Sequence, residues 1–203
     1  MNTTTTTNLV TTPPTELPPT PTATQALPTT TTAQALPTTI DAQVLSTPTG
    51  PLALLVHGIV LVAAGFTADT GEMYARLPAN LKALPLRTVE DLGKPAQAVR
   101  DYLDGDLFAL DTIEVDQPGT PTRQRLLAAL RTVPAGTTVS YAQLAERAGL
   151  PRTAARAAGT ACAQNLVAPF VPCHRVLPST GGFGGYYYGT PVKEWLLTHE
   201  NAR

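Results

Sequence analysis

A cysteine followed directly by a histidine, in Val171-Pro-Cys173-His174-Arg175-Val176, is the stretch of this sequence whose residue types invite covalent chemistry. A thiol attacks as the thiolate, and an unperturbed pKa of about 8.5 leaves little of that form at neutral pH. A neighbouring base, itself oriented by an acid, supplies the activation. His174 is adjacent, and Glu200 on the last helical segment is the candidate acid. Apolar flanks (Phe170, Val171 and Val176) predict a dry pocket, which favours attack on an alkyl carbon over hydrolysis. Taken alone, the motif fits equally well a buried cysteine acting as a small hydrophobe beside a surface histidine. Cys162 is the other cysteine and reads as a packed thiol on a helix. Two cysteines and three histidines without CxxC-type spacing predict no metal site. Two cysteines are also too few for a disulfide framework, so a reducing, cytoplasmic setting is expected.

The elements that must position these residues can be read around them. From Pro121, Leu126, Leu127, Leu130 and Val133 recur at helical spacing until Pro134-Ala-Gly136 ends the run. Ser140 stands at an N-cap ahead of a helix over 141–148. Gly149-Leu-Pro151 breaks it, and a second helix follows over Arg152–Ala163. This is a helix-turn-helix pattern, and its second helix is rich in alanine and glycine, which permits close approach to a duplex. Upstream, Pro51–Phe66 reads as two strands meeting at the turn His57-Gly58, with helical spacing at Glu72–Leu77 and Pro95–Leu107 and a strand at Leu110–Val115. Three divisions are expected: a disordered Thr/Pro-rich tail over 1–49, a small α/β domain with an antiparallel sheet over 50–117, and a mostly helical domain over 118–203. The tail carries a nine-residue repeat beginning at Gln25 and Gln34 and decaying at Gln43. Its prolines remove backbone donors, and nine matches no helical or solenoid period.

Charge is divided unevenly. The formal net charge is −1, yet residues 119–203 carry nine Arg/Lys against three acids, a net of +6. That asymmetry points to a face for a polyanion. The longest apolar stretch, Ile59–Phe66, is too short to cross a membrane.

Read with its neighbours, the motif resembles the O6-alkylguanine-DNA alkyltransferases. The resemblance runs from Gly119 to Glu200 through Pro134-Ala-Gly136-Thr-Thr-Val-Ser140-Tyr141, Gly149-Leu-Pro151, Ala155-Arg156-Ala157, Asn165, Pro172-Cys-His-Arg-Val176, Gly185-Tyr186 and Lys193-Glu-Trp195-Leu-Leu-Thr-His-Glu200. It implies a ribonuclease H-like N-terminal domain and a winged-helix-like C-terminal domain. It also implies a single-turnover transfer of an alkyl group from guanine O6, or O4 of thymine, to Cys173 after base flipping. His174 would act through water as base and Glu200 would orient it. Asn165 would hold the turn after the recognition helix, and Tyr141 would press on the target phosphate and protonate the leaving guanine. Arg156 would fill the vacated duplex position, with Ser140, Tyr141, Arg152, Arg175 and Ser179 as further DNA contacts. Val176, Tyr186 and Tyr187 would form the base pocket. The implied partner is double-stranded DNA entered through the minor groove; no cofactor is implied, and the protein is expected to act as a monomer.

Four departures stand out. Thr122 replaces a usual aromatic, Leu126-Leu127 a usual Val-Trp pair, and Tyr187 a frequent serine, which would exclude bulky alkyl groups. The step from Gly149 to Arg156 is one residue longer than the family pattern, and the turn is expected to absorb it. A non-catalytic lesion binder or regulator on this scaffold is the alternative, disfavoured by the presence of Cys173. A cysteine hydrolase is disfavoured by the adjacency of Cys173 and His174.

Overall fold

Apolar runs between residues 40 and 65 form a meander of β1 (Ile40–Thr47), β2 (Gly50–His57) and β3 (Val60–Gly65), paired antiparallel in sequence order. The computed structural model describes residues 1–3 and 37–202. The β2–β3 turn falls at His57-Gly58 as the sequence implies, and Gly58 takes φ +66°, a conformation a side chain resists. After β3 the chain passes through α1 (Thr70–Ala75) and α2 (Ala79–Lys82) and returns as β4 (Leu86–Thr88). That helical crossover lays β4 parallel to β1, giving the order β3-β2-β1-β4. The sheet is therefore mixed, which corrects the antiparallel expectation.

The expected tail boundary at residue 49 is also corrected. Residues 40–47 are a strand held between β2 and β4, with Ile40 and Ala42 fully buried. The reason lies in the decay of the repeat. Where the copies at Gln25 and Gln34 have Pro28 and Pro37, the third has Ser46, which keeps its backbone donor, and Val44 replaces alanine with a better strand former. Gln43 then turns inward: its amide donates to the Glu90 carbonyl and accepts from the Leu92 N–H. Residues 4–36, where the rest of the expected tail falls, lie outside the described residues.

Alternation sorts the sheet's two faces. Leu52, Leu54 and Val56 face one core, against Ala96, Val99 and Tyr102 of α3 (Lys94–Leu103); Ala53 and Leu55 face the other, against Met73 and Leu77. The strand expected at Leu110–Val115 is a 3-10 turn over Ala109–Thr112, with Val115 alone bridging to Leu61. Arg131 holds that turn by donating to the carbonyls of Asp111 and Ile113.

The second half begins with α4 (Pro121–Arg131), whose N-terminus Thr120 caps by accepting from Arg123 N–H. β5 (Val139–Ser140) leads into α5 (Tyr141–Arg147), where Ser140 and Gln143 form a reciprocal capping box worth about 1 kcal/mol. The turn to α6 (Ala155–Ala163) contains a 3-10 turn at Arg152–Ala154. β6 (Val176–Leu177) pairs parallel with β5, and α7 (Thr190–His199) closes the chain. One core joins Leu54 and Tyr102 with Leu130, Phe170 and Leu196, so packing crosses the sequence boundary at residue 117. Among the described residues no helix is long and apolar enough to cross a membrane.

Candidate active site

Two chain segments add to the free edge of β3. Val115 bridges to Leu61, and Val167 bridges to Ala64, with Ala64 N–H donating to Leu166 O at 2.8 Å and Ala168 N–H to Ala64 O at 3.1 Å. The second segment opens with Asn165, directly after α6, and leads through Phe170 and Val171 to a 3-10 turn at Cys173–Arg175. Asn165 is buried and its Nδ2 donates both to Val171 O at 2.8 Å and to Cys173 Sγ at 3.2 Å.

Cys173 is 8% exposed and sits on the wall of a cavity of about 340 Å³. Tyr141, Gly159, Cys162 and Asn165 line one side, and Tyr186, Tyr187 and Tyr188 another. Burial pushes the thiol pKa up; the Asn165 hydrogen bond and the charge of Lys193 act against that rise. Tyr186 is likewise raised by burial and by its proximity to Cys173.

His174 is fully buried on the opposite side of the same turn, with Nε2 2.9 Å from Glu200 Oε1. Burial alone would raise the Glu200 pKa, but His174 and Arg175 overcome it and hold the carboxyl at about 2. A carboxylate only accepts hydrogen bonds, so Nε2 carries the imidazole proton and Nδ1 presents its lone pair. Nδ1 is buried and has no protein partner. Burial lowers the His174 pKa, so the ring is a neutral base. Glu200 also accepts from Tyr102 Oη at 2.9 Å, from Arg175 Nη2 at 2.8 Å and, on Oε2, from Arg175 Nε at 2.9 Å.

The structure brings Cys173, Asn165, Tyr141, Tyr186 and Tyr187 to one cavity and places His174 and Glu200 behind it. Two expectations are corrected. Arg175 is not a surface DNA contact: its side chain is 2% exposed, bound to Glu200 and to Val133 O. Val176 does not line the cavity, because its side chain is buried in β6 while its carbonyl accepts from the buried Lys193 Nζ at 2.7 Å. Tyr187 is on the cavity rim but 60% exposed; Arg76 lies over its ring at 4.5 Å and its hydroxyl donates to Glu72 at 3.3 Å. Tyr188 also lines the cavity, and its hydroxyl packs so close to Gly65 that a Cβ there would collide with it. Arg156 and Ser179 are exposed, and Arg152, also exposed, pairs with Glu146 at 2.6 Å. Tyr102, Gln117 and Tyr188 are site residues that sequence reasoning missed. A tyrosine at a core position of α3 carries a hydroxyl that must find a partner, and that was the available signal for Tyr102. Among the described residues no three His, Cys, Asp or Glu side chains group as a metal site requires.

A family model described as "6-O-methylguanine DNA methyltransferase, DNA binding domain" matches residues 121–202. A methylated-DNA–protein-cysteine methyltransferase of Mycobacterium bovis is 38% identical over 162 residues, covering 77% of this chain and 90% of the relative. One from Shigella flexneri is 43% identical over 108 residues, which is 53% of this chain and 63% of that relative, so the match spans less than two thirds of its length. The crystal structure of Mycobacterium tuberculosis OGT in complex with DNA superposes with a TM-score of 0.67 at 32% identity, over 80% of this chain and 93% of that one.

Proposed function

The chain belongs to the methylated-DNA–protein-cysteine methyltransferase family, and from that premise we propose that it repairs DNA by moving an alkyl group from O6 of guanine to Cys173. The observation that carries the proposal is the joint placement of the thiol. Cys173 Sγ lies against a cavity large enough for a flipped base, receives a hydrogen bond from Asn165, and shares its turn with a neutral histidine fixed by a carboxylate.

Nδ1 of His174 takes the thiol proton through one water. The thiolate attacks the alkyl carbon; the S–C bond forms as the C–O6 bond breaks, and the electron pair leaves on guanine. Tyr141, on the cavity wall at the start of α5, supplies the proton that neutralises the leaving base. A thioether has no ready exit, so each molecule acts once. The target base must leave the stack at a cost of a few kcal/mol. Arg156 at the exposed start of α6 fills its place, while Ser140, Arg152 and Ser179 hold phosphates without reading sequence. On this reading α5 and α6 form a winged-helix-like unit that enters the minor groove, the N-terminal half is ribonuclease H-like, and the protein works in the cytoplasm as a monomer on double-stranded DNA. O4-alkylthymine falls within the same chemistry.

The test is intact mass after incubation with duplex DNA containing O6-methylguanine. A gain of one methyl, absent in Cys173→Ala, is the expected result. Tight binding to the lesion with no adduct would replace the transferase reading with that of a lesion binder.

A further inference from the structure

Asn165 can serve the thiol only if its amide faces the right way. An amide is nearly symmetric in shape, and a half-turn about its last torsion would aim the carbonyl oxygen at Sγ and repel the thiolate. The main chain favours one orientation, through Val167 N–H on Oδ1 and Val171 O on Nδ2, and Gln117 adds a side-chain donor to the same oxygen.

Gln117 lies in the linker before α4 and is 7% exposed. It reaches Asn165 because both segments add to the β3 edge: Asp116 N–H donates to Leu61 O at 3.1 Å, three residues along the strand from Ala64, which holds the 166–168 segment. Leu166 N–H donates to Gln117 Oε1 at 3.0 Å, and a backbone N–H cannot be reversed. That leaves Gln117 Nε2 as the donor to Asn165 Oδ1, at 3.0 Å, where Val167 N–H at 3.1 Å adds a second donor. Asn165 Nδ2 is thereby turned to Val171 O and Cys173 Sγ. Gln117, its own direction set by the Leu166 N–H, thus reinforces from the side the orientation that Val167 N–H and Val171 O also favour.

We propose that Gln117 is a positioning residue for the alkyl acceptor, setting the Asn165 amide so that it donates to Cys173 Sγ and stabilises the thiolate. This rests on the transferase reading of the site but acts on the thiol itself, so it is measurable without DNA. Two substitutions separate the roles. Gln117→Leu removes the donor to Asn165. Gln117→Glu keeps the size and still accepts from Leu166, but its carboxylate draws Nδ2 towards itself and favours the reversed amide.

The experiment measures the rate at which iodoacetamide alkylates Cys173 between pH 6 and 10, in full-length protein carrying Cys162→Ala so that one thiol reports. Both variants should move the midpoint upward by about one pH unit, a tenfold loss of thiolate at neutral pH. With Asn165→Ala also present, Gln117→Leu should produce no further shift. A profile superimposable on the parent in the variant that remains folded overturns the proposal, whatever happens to the melting temperature. So does a shift that persists when Asn165 is alanine, since Gln117 would then act by another route. If the parent transfers no methyl from DNA while the alkylation profiles still shift, the functional reading fails and the positioning role stands.

Discussion

Replacing Glu200 with glutamine should cost the protein stability in a way that depends on pH. The carboxylate is almost fully enclosed and accepts four hydrogen bonds, two of them from the guanidinium of Arg175. Its pKa is held at about 2 against an ordinary 4.5. A difference of that size corresponds to roughly 3 kcal/mol, the same order as breaking a buried ion pair by removing one partner. Because the folded pKa is depressed, this stability is present in full above pH 4.5 and is lost as the pH falls towards 2. A protonated glutamic acid and a glutamine are alike in charge, so Glu200→Gln should be about 3 kcal/mol less stable than the parent at pH 7 and close to it near pH 2. Urea unfolding at a series of pH values, with the denaturant slope checked for constancy, measures the gap. A gap below about 1 kcal/mol at neutral pH, or one that does not narrow in acid, would show that the Arg175–Glu200 pair contributes little and refute the assignment.

Tyr188 rather than Tyr187 should limit the size of the transferred group, since Tyr187 leans outward onto Arg76 while Tyr188 is the more enclosed of these two cavity-lining tyrosines. Tyr188→Gly is expected to raise the rate of benzyl transfer relative to methyl transfer by about tenfold or more, while Tyr187→Ser leaves the ratio near its starting value; the opposite ranking would return the role to Tyr187. Removing 1–49 takes away β1, the strand between β2 and β4, and should abolish a cooperative transition. A 50–203 fragment with the parent's melting temperature would show that β1 is dispensable.

Local signals carried much of the structure. The His57-Gly58 turn, the Ser140 cap and the helices on either side of Gly149 were legible because each depends on a few adjacent residues. The mixed sheet was not, because a three-residue strand such as β4 has no periodicity and owes its place to a partner more than forty residues away. β1 was hidden for a different reason. Its sequence is the last copy of a repeat, and Val44 and Ser46, in place of alanine and proline, set it apart from the copies before it. In the site, Cys173, His174, Asn165 and Glu200 were legible through their spacing and the family pattern, whereas Arg175 was misread: a positive charge in a basic half suggests a phosphate, and only the fold shows that its partner is Glu200. Gln117 gave no sequence signal, because a glutamine in a linker is ordinarily solvated.

The two networks meet on consecutive residues yet remain separate, and this follows from the 3-10 turn that carries them. Cys173 faces the β3 edge, where Gln117 and Asn165 converge; His174 and Arg175 face α3 and α7, where Tyr102 and Glu200 converge. None of the hydrogen bonds described above links one set to the other. Substitutions on the first side should therefore change the ionisation of the thiol and remove only neutral hydrogen bonds, two at Gln117, each contributing about 1 kcal/mol. Substitutions on the second side unpair a buried charge and should show first as lost stability, with slower transfer following from the freed imidazole. Combining Gln117→Leu with Glu200→Gln tests this division. Their effects on unfolding free energy should add to within about 0.5 kcal/mol, as for independent sites. A larger coupling would mean that the turn transmits strain between the nucleophile and its base, and the two could no longer be treated as separately positioned groups.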